Sequence, residues 1–247
     1  VFRFSVISKN RGAIFAKAIT QVGKRVFFYA QDGFFEIDGE TIRPVGQHKV
    51  NDFFESNLSA GYQQNIIAST DPLNHLAIWS YPSTAATTGV QDRLLIYNYS
   101  VNRWSIVELG AEMIFLQFSE AYTVDTLDNV SNSLDDLNVS FDSRYWLGGV
   151  VNFAGFDSDH KLIQFDGATL AATIETGEIE PVPGRRSTVT MVRPIVDGTS
   201  TARVTSRARA ADSGTSTSYA SLQTNGDIPV RSSGRYHKVG VAIAAAV

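Results

Sequence analysis

Short runs of aromatic and β-branched residues alternate with turn residues along almost the whole chain. Runs of this length, bounded by Gly, Asp, Asn or Pro, predict β-strands. No segment sustains the period of about 3.6 residues that predicts an amphipathic helix. The pattern therefore predicts an all-β protein, with its clearest strands in RVFFYA (25–30), LAIWSY (76–81), RLLIYNY (93–99), LIQFDG (162–167) and STVTMVRPIV (187–196).

The residues between neighbouring runs predict hairpin turns. Gly23-Lys24, Asp32-Gly33 and Ser158-Asp159 each lie between two apolar runs. Gly, Asp and Asn accept the positive φ angles that tight hairpin turns require. Consecutive antiparallel hairpins predict a meander, in which each strand pairs with its neighbours in the chain.

One plan of strand, turn and strand occurs three times along the chain. The segments are 33–46, 93–108 and 160–182, with turns at Asp38-Gly39, Asn98-Tyr99 and Asp166-Gly167. Their spacing is somewhat above the kelch period of about 50 residues, which predicts β-propeller blades with insertions. Three blades do not close a ring, since propellers have about 4 to 8. Either further blades come from chain outside this sequence, or the repeat interpretation is wrong.

The charge distribution divides the chain in two. The net charge is -4, but residues 1–182 contain 12 Lys and Arg against 22 Asp and Glu, whereas residues 183–247 contain 9 against 3. We predict acidic propeller blades over 1–182 and a basic C-terminal β subdomain over 183–247. A split of this kind argues against one nucleic-acid-binding face over the whole molecule. In the basic region, strands are expected in STVTMVRPIVDG, TARVTSRARA and RYHKVGVAI, with ADSGTSTSYASLQTNGDIPVRSSG as a connector.

Residues 120–142 form an acidic insertion without Lys or Arg. Its carboxylates do not follow the Asp-x-Asp-x-Asp-Gly spacing of a calcium-binding loop with a terminal Glu. A solvated acidic loop that touches a partner is the preferred interpretation. The candidate partner or DNA-channel contacts in this insertion are Asp125, Asp128, Asp135 and Asp136.

A stripe of arginines in the basic region is a second candidate contact surface. Arg203, Arg207 and Arg209 lie four and two positions apart, so in a strand they share one face. Such a stripe can bind an acidic neighbour or DNA phosphates. A solvated outer face explains the same pattern equally well.

The residues that usually carry catalysis form no recognisable motif. There is no cysteine, and the four histidines are scattered without metal-ligand spacing. The nucleophile-elbow, P-loop and dinucleotide-binding motifs do not occur. Asp157, Asp159 and His160 are better explained as a hairpin tip than as an acid-base or metal cluster. We predict no enzymatic activity, no cofactor and no metal, although the two carboxylates of a glycosidase need to converge only in space.

Trp79 and Trp104 have two possible roles. Aromatic side chains can stack against a ligand, or they can pack between neighbouring sheets. Large aromatics in strands usually bury their surface against another sheet. Packing between blades is therefore the preferred interpretation of both tryptophans.

Several segments, taken together and in order, resemble a group of phage structural proteins. These are the packaged-DNA stabilisation or tail-hub proteins of short-tailed phages, which are similar in role to tail tubular protein B, the nozzle. The resemblance extends from about Arg25 to Ile243 and includes no catalytic motif. It rests on ASTDPLNHLAIWSYPS, QDRLLIYNYSVNRWSIVE, TLDNVSNSLDDLNVSFDSRYWLGG, FDSDHKLIQFDGATLAATIETGEIEP, VRPIVDG and PVRSSGRYHKVGVAI.

The resemblance implies a structural protein of the virion, located in the phage tail. Such a subunit contains β-propeller blades and assembles as a homo-oligomeric ring below the portal and adaptor. The ring extends the DNA channel, passes duplex without sequence-specific binding, and retains the packaged genome until ejection. Tail proteins on the portal side and distal tail proteins or fibres are the implied partners. We further expect neighbouring subunits to meet through complementary charge.

Two other functions are compatible with the sequence. A host-glycan-binding or depolymerase propeller on the virion would place exposed aromatics and converging carboxylates on one face. A cellular protein-interaction propeller would need neither, and the ordered phage-like segments weigh against it. No apolar run approaches the roughly 20 residues of a membrane-spanning helix, so no membrane span is expected. Because the chain opens on Val1 and stops within an apolar run, we expect it to lack terminal parts.

Overall fold

The chain folds into two compact units, Val1–Gly167 (unit 1) and Ala168–Val247 (unit 2). The computed structural model describes residues 6–118, 122, 140, 142, 146, 151–165, 169–196 and 198–245. Strands dominate these residues, which confirms the predicted all-β class. The division between units falls before the predicted boundary at 182/183, so residues 169–182 belong to unit 2.

Two four-stranded antiparallel meanders form the first part of unit 1. Sheet 1 contains β1 (Ile19–Val22), β2 (Arg25–Ala30), β3 (Gly33–Asp38) and β4 (Thr41–Pro44). Sheet 2 contains β5 (Ile67–Asp71), β6 (Leu76–Tyr81), β7 (Arg93–Asn98) and β8 (Arg103–Val107). The predicted turns at Gly23-Lys24 and Asp32-Gly33 join β1 to β2 and β2 to β3, and both glycines have positive φ angles.

A third antiparallel sheet follows in unit 1. Sheet 3 contains β9 (Met113–Phe118), β10 (Val151–Phe156) and β11 (Leu162–Gln164), in that order. Between β10 and β11, Asp157 Oδ1 accepts hydrogen bonds from the backbone N–H groups of Asp159 (3.0 Å) and Lys161 (2.8 Å). The prediction that Asp157, Asp159 and His160 form a hairpin tip is therefore confirmed.

A short helix, α1 (Asn51–Asn57), lies between β4 and β5 in the sequence. Its seven residues are too few to display a helical period, so the pattern did not predict it. The side chain of Asn51 ties the helix to the β2–β3 hairpin. Its Nδ2 donates to the carbonyl oxygen of Asp32 (3.2 Å), and its Oδ1 accepts the N–H of Phe34 (3.4 Å).

An aromatic core joins sheet 1 to sheet 2. The ring centroid of Phe34 lies 4.8 Å from that of Trp79 and 5.1 Å from that of Trp104. Both indoles also reach backbone at the ends of strands in sheet 1. Trp79 Nε1 donates to the carbonyl of Ala18 (3.2 Å), and Trp104 Nε1 donates to that of Val45 (3.1 Å). The prediction that these tryptophans pack between sheets is confirmed.

A second core, mostly aliphatic, joins sheet 2 to sheet 3. Ile78 and Leu94 from sheet 2 pack in it with Ile114, Phe153 and Ile163 from sheet 3. The first strands of the sheets are also neighbours, since β1 packs against β5 and β5 packs against β9. The three sheets therefore follow one another in series, and the described residues form no closed ring of sheets.

The three predicted repeats correspond only in part. Residues 33–46 and 93–108 form the last two strands of sheets 1 and 2, so these segments occupy equivalent places. Residues 160–182 begin with β11, but the next strand, β12 (Ala172–Glu175), pairs with a strand of unit 2. The third repeat is therefore wrong as a blade hairpin, because its second strand has a different partner. Its predicted turn at Asp166-Gly167 lies outside the described residues.

Unit 2 contains two antiparallel sheets around a small aliphatic core. Its strands after β12 are β13 (Ser187–Val192), β14 (Ser200–Arg207), β15 (Thr215–Ser216), β16 (Ala220–Ser221), β17 (Ile228–Gly234) and β18 (Tyr236–Ile243). Sheet 4 has the order β12-β18-β14-β15, with β16 also paired to β14, and sheet 5 pairs β13 with β17. Ala202 and Val204 of β14 pack in the core with Ile228 and Val230 of β17.

The stretch 211–234, predicted to be a connector, contains β15, β16 and β17, so that prediction is wrong. The residues of β17 alternate strictly between buried and exposed. Its buried positions are Ile228, Val230, Ser232 and Gly234, so half of the inward residues are not apolar. The hydrophobic signal with a period of two residues is consequently weak in the sequence.

Candidate functional site

The sequence-predicted contact residues lie in two places. Arg203 and Arg207 share the outward face of β14, as predicted. Arg209 does not, because β14 ends at Arg207 and Arg209 lies in the bend that follows. Outside the described residues lie Asp125, Asp128, Asp135 and Asp136.

A segment that we call the glutamate strap, residues 172–180, runs along β18. It begins with β12 and continues beyond it as an irregular strand. The N–H of Thr176 donates to the carbonyl of Val239 (2.8 Å), and Ile179 and His237 exchange two backbone hydrogen bonds of 2.9 Å each. The strap is thus fixed to the edge of sheet 4 by its backbone.

The strap glutamates form ion pairs with four cations of unit 2. Lys238 and Arg203 donate hydrogen bonds to Glu175, and these bonds lower the pKa of its carboxyl. A hydrogen bond from Arg235 lowers the pKa of Glu180 in the same way. The pairs are Glu175 with Arg203 (3.1 Å) and Lys238, Glu178 with Arg207, and Glu180 with Arg235.

The predicted arginine stripe is therefore partly neutralised by its own chain. The guanidinium groups of Arg203 and Arg207 also lie over aromatic rings. The Arg203 group is 5.0 Å from the ring centroid of Tyr219, and the Arg207 group is 5.6 Å from the ring centroid of Tyr236. The predicted boundary at 182/183 assigned the strap glutamates to the acidic region and hid this pairing. An acidic neighbour that binds Arg203 or Arg207 must compete with the strap.

A buried polar network connects four strands of unit 2. His237 is fully buried, and its Nδ1 lies 2.7 Å from Ser206 Oγ and its Nε2 2.9 Å from Ser187 Oγ. Ser232 Oγ donates to Ser206 Oγ (2.6 Å). Both imidazole nitrogens are thus bonded to hydroxyls, and neither meets the carboxylate that orients histidine in a catalytic triad. This arrangement is suited to holding β13, β14, β17 and β18 together.

A polar cleft of about 390 Å³ opens beside this network. Ser206 and Ser232 form part of its lining, together with the arginines Arg186, Arg207 and Arg231. Asp212 supplies a carboxylate. Further hydroxyls come from Ser213, Thr215, Ser216, Thr217 and Ser233. Sequence analysis did not identify this cleft, because its arginines lie far apart in the chain. The excess of Lys and Arg after residue 183 was the one available signal.

A smaller cleft, of about 280 Å³, lies between sheets 1 and 2. Arg25, Glu36 and Tyr99 line it, and Arg25 Nε lies 3.4 Å from Glu36 Oε1. Burial raises the pKa of Tyr99, and the nearby guanidinium of Arg25 opposes this effect. Among the described residues Glu36 is the only carboxylate in the lining of this cleft, whereas glycoside hydrolysis by the usual mechanism needs two. The cleft therefore suits binding better than hydrolysis.

Two features of the described residues and two comparisons of the sequence bear on function. Within the described ranges, no three His, Cys, Asp or Glu side chains lie together in a way that could hold a metal ion. None of the helices in the described part of the chain has the length and apolar character needed to cross a membrane. The sequence matches no protein-family model and no curated protein. Inference about function therefore rests on the residues of the chain itself.

Proposed function

We propose that the chain is a non-enzymatic structural subunit of a phage tail, in the nozzle region below the portal and adaptor. In this proposal it forms part of a homo-oligomeric ring that extends the DNA channel and retains the genome until ejection. The phage-like segments between about Arg25 and Ile243 suggest this class of protein. The observation that carries the proposal is the serial packing of three meander sheets in unit 1.

The serial packing supports an incomplete β-propeller. Propeller blades are typically four-stranded sheets arranged around a central channel, and sheets 1 and 2 have four strands each. The strands β1, β5 and β9 follow one another as strands around an axis would. In this proposal the two cores between the sheets are the packing between neighbouring blades. We propose that further blades, from other chain or from neighbouring subunits, complete the ring.

The interior of unit 1 suits a scaffold. Trp79 and Trp104 are occupied by contacts with Phe34 and by hydrogen bonds to backbone carbonyls, so their rings brace two sheets. Aromatic packing of this kind fixes the relative position of neighbouring sheets. A rigid subunit suits a ring, because every copy must present the same pair of surfaces to its two neighbours.

In this proposal an acidic surface faces the DNA channel. Carboxylates repel phosphates and let duplex slide, whereas a basic lining would bind it. The arginine stripe contributes less to subunit contacts than the charge distribution suggested, because the strap already pairs with Arg203 and Arg207. Arg209 has no ion-pair partner among the described residues and is the stripe member best able to meet a neighbour.

Negative-stain microscopy with mass analysis tests the proposal. The chain is imaged alone and after mixing with disrupted phage tails. Rings with a central channel, or addition to portal–adaptor complexes, are expected. A protein that stays monomeric at every concentration and does not bind tails would contradict the proposal. Arg209→Gln should weaken assembly more than the control Arg185→Gln, which changes an exposed arginine outside the stripe.

The cleft between sheets 1 and 2 favours a second candidate function, binding of a host glycan. Tyr99 offers a half-buried aromatic ring, and Arg25, Arg43 and Asn102 offer polar groups around it. A glycan microarray with purified protein tests this function. Binding that is lost in Tyr99→Ala and retained in Tyr219→Ala would support a glycan-binding role, whereas no binding to any glycan would exclude it.

A further inference from the structure

We infer that the polar cleft of unit 2 binds an oxyanion, namely a phosphate or sulfate group. The inference goes beyond the proposed function, because it concerns a different unit and holds whether or not the chain forms a ring. It rests on three arginines and several serine and threonine residues that line one cleft. The residues that carry it are Arg186, Arg207 and Arg231.

Two of the three arginines carry charge that the described residues leave uncompensated. Arg186 and Arg231 are exposed, and neither has an ion-pair or hydrogen-bond partner within the described ranges. Arg207 differs, because Glu178 neutralises its terminal nitrogen, yet its buried Nε atom has no hydrogen-bond partner. The lining of the cleft therefore includes two arginines whose positive charge is not paired.

One carboxylate, that of Asp212, also lines the cleft and opposes anion binding. Its Oδ2 accepts the backbone N–H of Arg209 (3.0 Å), which directs part of its charge toward the backbone. Glu178 offsets the charge of Arg207, and Asp212 offsets the charge of one further arginine. The lining is therefore left with an excess of positive charge. The balance favours an anion over a cation or a neutral ligand.

Hydroxyl groups supply the remaining donors. Ser213, Thr215 and Ser233 line the cleft and have no side-chain hydrogen bond within the described ranges. Ser206 is held in place by its hydrogen bond to His237, and Ser232 is held by its hydrogen bond to Ser206. Guanidinium forks and hydroxyls match the several acceptor oxygens of phosphate or sulfate.

The shape of the cleft agrees with a small ligand. Its volume of about 390 Å³ lies at the lower end of the range of about 300–1,000 Å³ found for small-molecule sites. The described residues of the lining include no aromatic side chain, so a ligand recognised by stacking is not expected. A phosphate can come from free inorganic phosphate or from a duplex backbone, and both present the same oxygens.

The test is an NMR titration of the ¹⁵N-labelled chain with sodium phosphate at constant ionic strength. Saturable shifts are expected in the backbone amides of β17 and of residues 212–217. Arg186→Gln and Arg231→Gln should each weaken phosphate binding about tenfold, since a hydrogen bond to a charged group contributes a factor of that order or more. Arg185→Gln is the matched control, because this neighbouring arginine does not line the cleft and should leave binding unchanged.

Further variants and ligands complete the test. Arg186→Lys keeps the charge but loses the fork, so it should bind with intermediate affinity. If duplex DNA displaces phosphate, the bound phosphate group belongs to a nucleic-acid backbone. If duplex DNA does not displace it, the ligand is a free oxyanion. Both outcomes support the site. Linear shifts that never saturate, or shifts in the Arg186→Gln and Arg231→Gln variants that equal those of the wild-type protein, would overturn it.

Discussion

The two units are both antiparallel β, but different chemistry holds each together. Unit 1 is built on large buried rings, including Phe34 and Trp79, that contact one another across sheets. Unit 2 has a core of alanine, valine and isoleucine, a buried histidine and a strap held by ion pairs. Strand content alone therefore does not show how a β unit resists unfolding. Aromatic packing makes unit 1 depend on shape, whereas unit 2 depends on hydrogen bonds and charge.

Phe34→Ala is expected to have the largest effect and to act on unit 1. Removing a fully buried ring leaves a cavity and should cost about 3–5 kcal/mol of unfolding free energy. Denaturant unfolding followed by tryptophan fluorescence reports on unit 1, because Trp79, Trp104 and Trp146 all lie there. The control Phe53→Ala changes an exposed ring and should cost less than about 1 kcal/mol. Equal losses in both variants would contradict the aromatic core.

His237→Ala is the corresponding change in unit 2. It leaves Ser187 and Ser206 without their imidazole partner in a buried place, and should cost about 2–4 kcal/mol. Hydrogen exchange of β17 and β18, followed by mass spectrometry, should accelerate while the tryptophan transition stays in place. His160→Ala, at an exposed hairpin tip, should change stability by no more than about 0.5 kcal/mol. Unchanged exchange in the His237 variant would refute the role of the network.

Alkaline pH should weaken unit 1 through its buried tyrosines. Burial raises the pKa of Tyr81 from 10.0 to about 12, and its hydroxyl donates to Asn57 Oδ1 (2.9 Å). Because the unfolded chain ionises first, this contribution is complete below pH 10.0 and is lost as the pH rises toward about 12. Tyr81→Phe should make the fall of the unfolding midpoint with pH shallower. An identical fall in both proteins would show that Tyr81 does not contribute.

Acid should weaken unit 2 through the strap, with the smallest of the four effects. Hydrogen bonds from Lys238 and Arg203 lower the pKa of Glu175 below the ordinary value of 4.5. The contribution is therefore complete above pH 4.5 and is lost as the pH falls through the lowered pKa. In wild-type protein, NMR signals of β12 and β18 should broaden or shift on acidification, and Glu175→Gln should already show part of this change at neutral pH.

Salt and a second variant sharpen the acid prediction. The difference between wild type and Glu175→Gln should shrink at high ionic strength, because the strap pairs are partly exposed and therefore screened. Glu40→Gln alters an exposed carboxyl in the β3–β4 turn and should not change the strap signals. Equal acid sensitivity of wild type and Glu175→Gln would show that the ion pairs do not hold the strap.

Local features of the fold were predictable from the sequence. The runs RVFFYA and LAIWSY coincide with β2 and β6, because strand composition and the flanking turn residues act over a few neighbouring positions. The burial of Trp79 and Trp104 followed from their size and their place in strands. The hairpin tip at residues 157–160 followed from turn chemistry. In each case the deciding interactions lie within one hairpin or one side chain.

Features that depend on distant residues were not predictable. The third predicted repeat groups β12 with β11, because nothing in the four residues of β12 indicates that it pairs with β18. β17 was missed because Ser232 and Gly234 occupy its inward positions. Arg186 and Arg231 reach one cleft only through the pairing of β13 with β17. Spatial convergence of this kind leaves no trace in periodicity or composition.

The strand order of sheet 4 has a consequence for how the protein folds during synthesis. Sheets 1 and 2 pair strands in the order in which the ribosome delivers them, so each can form soon after its last strand emerges. In sheet 4, β18 lies between β12 and β14, although it is translated after both. Until β18 leaves the exit tunnel, the strap has no backbone partner and the imidazole that joins Ser187 to Ser206 is missing. Unit 2 can therefore complete its fold only after β18 has emerged, which is later than the point at which sheets 1 and 2 can form.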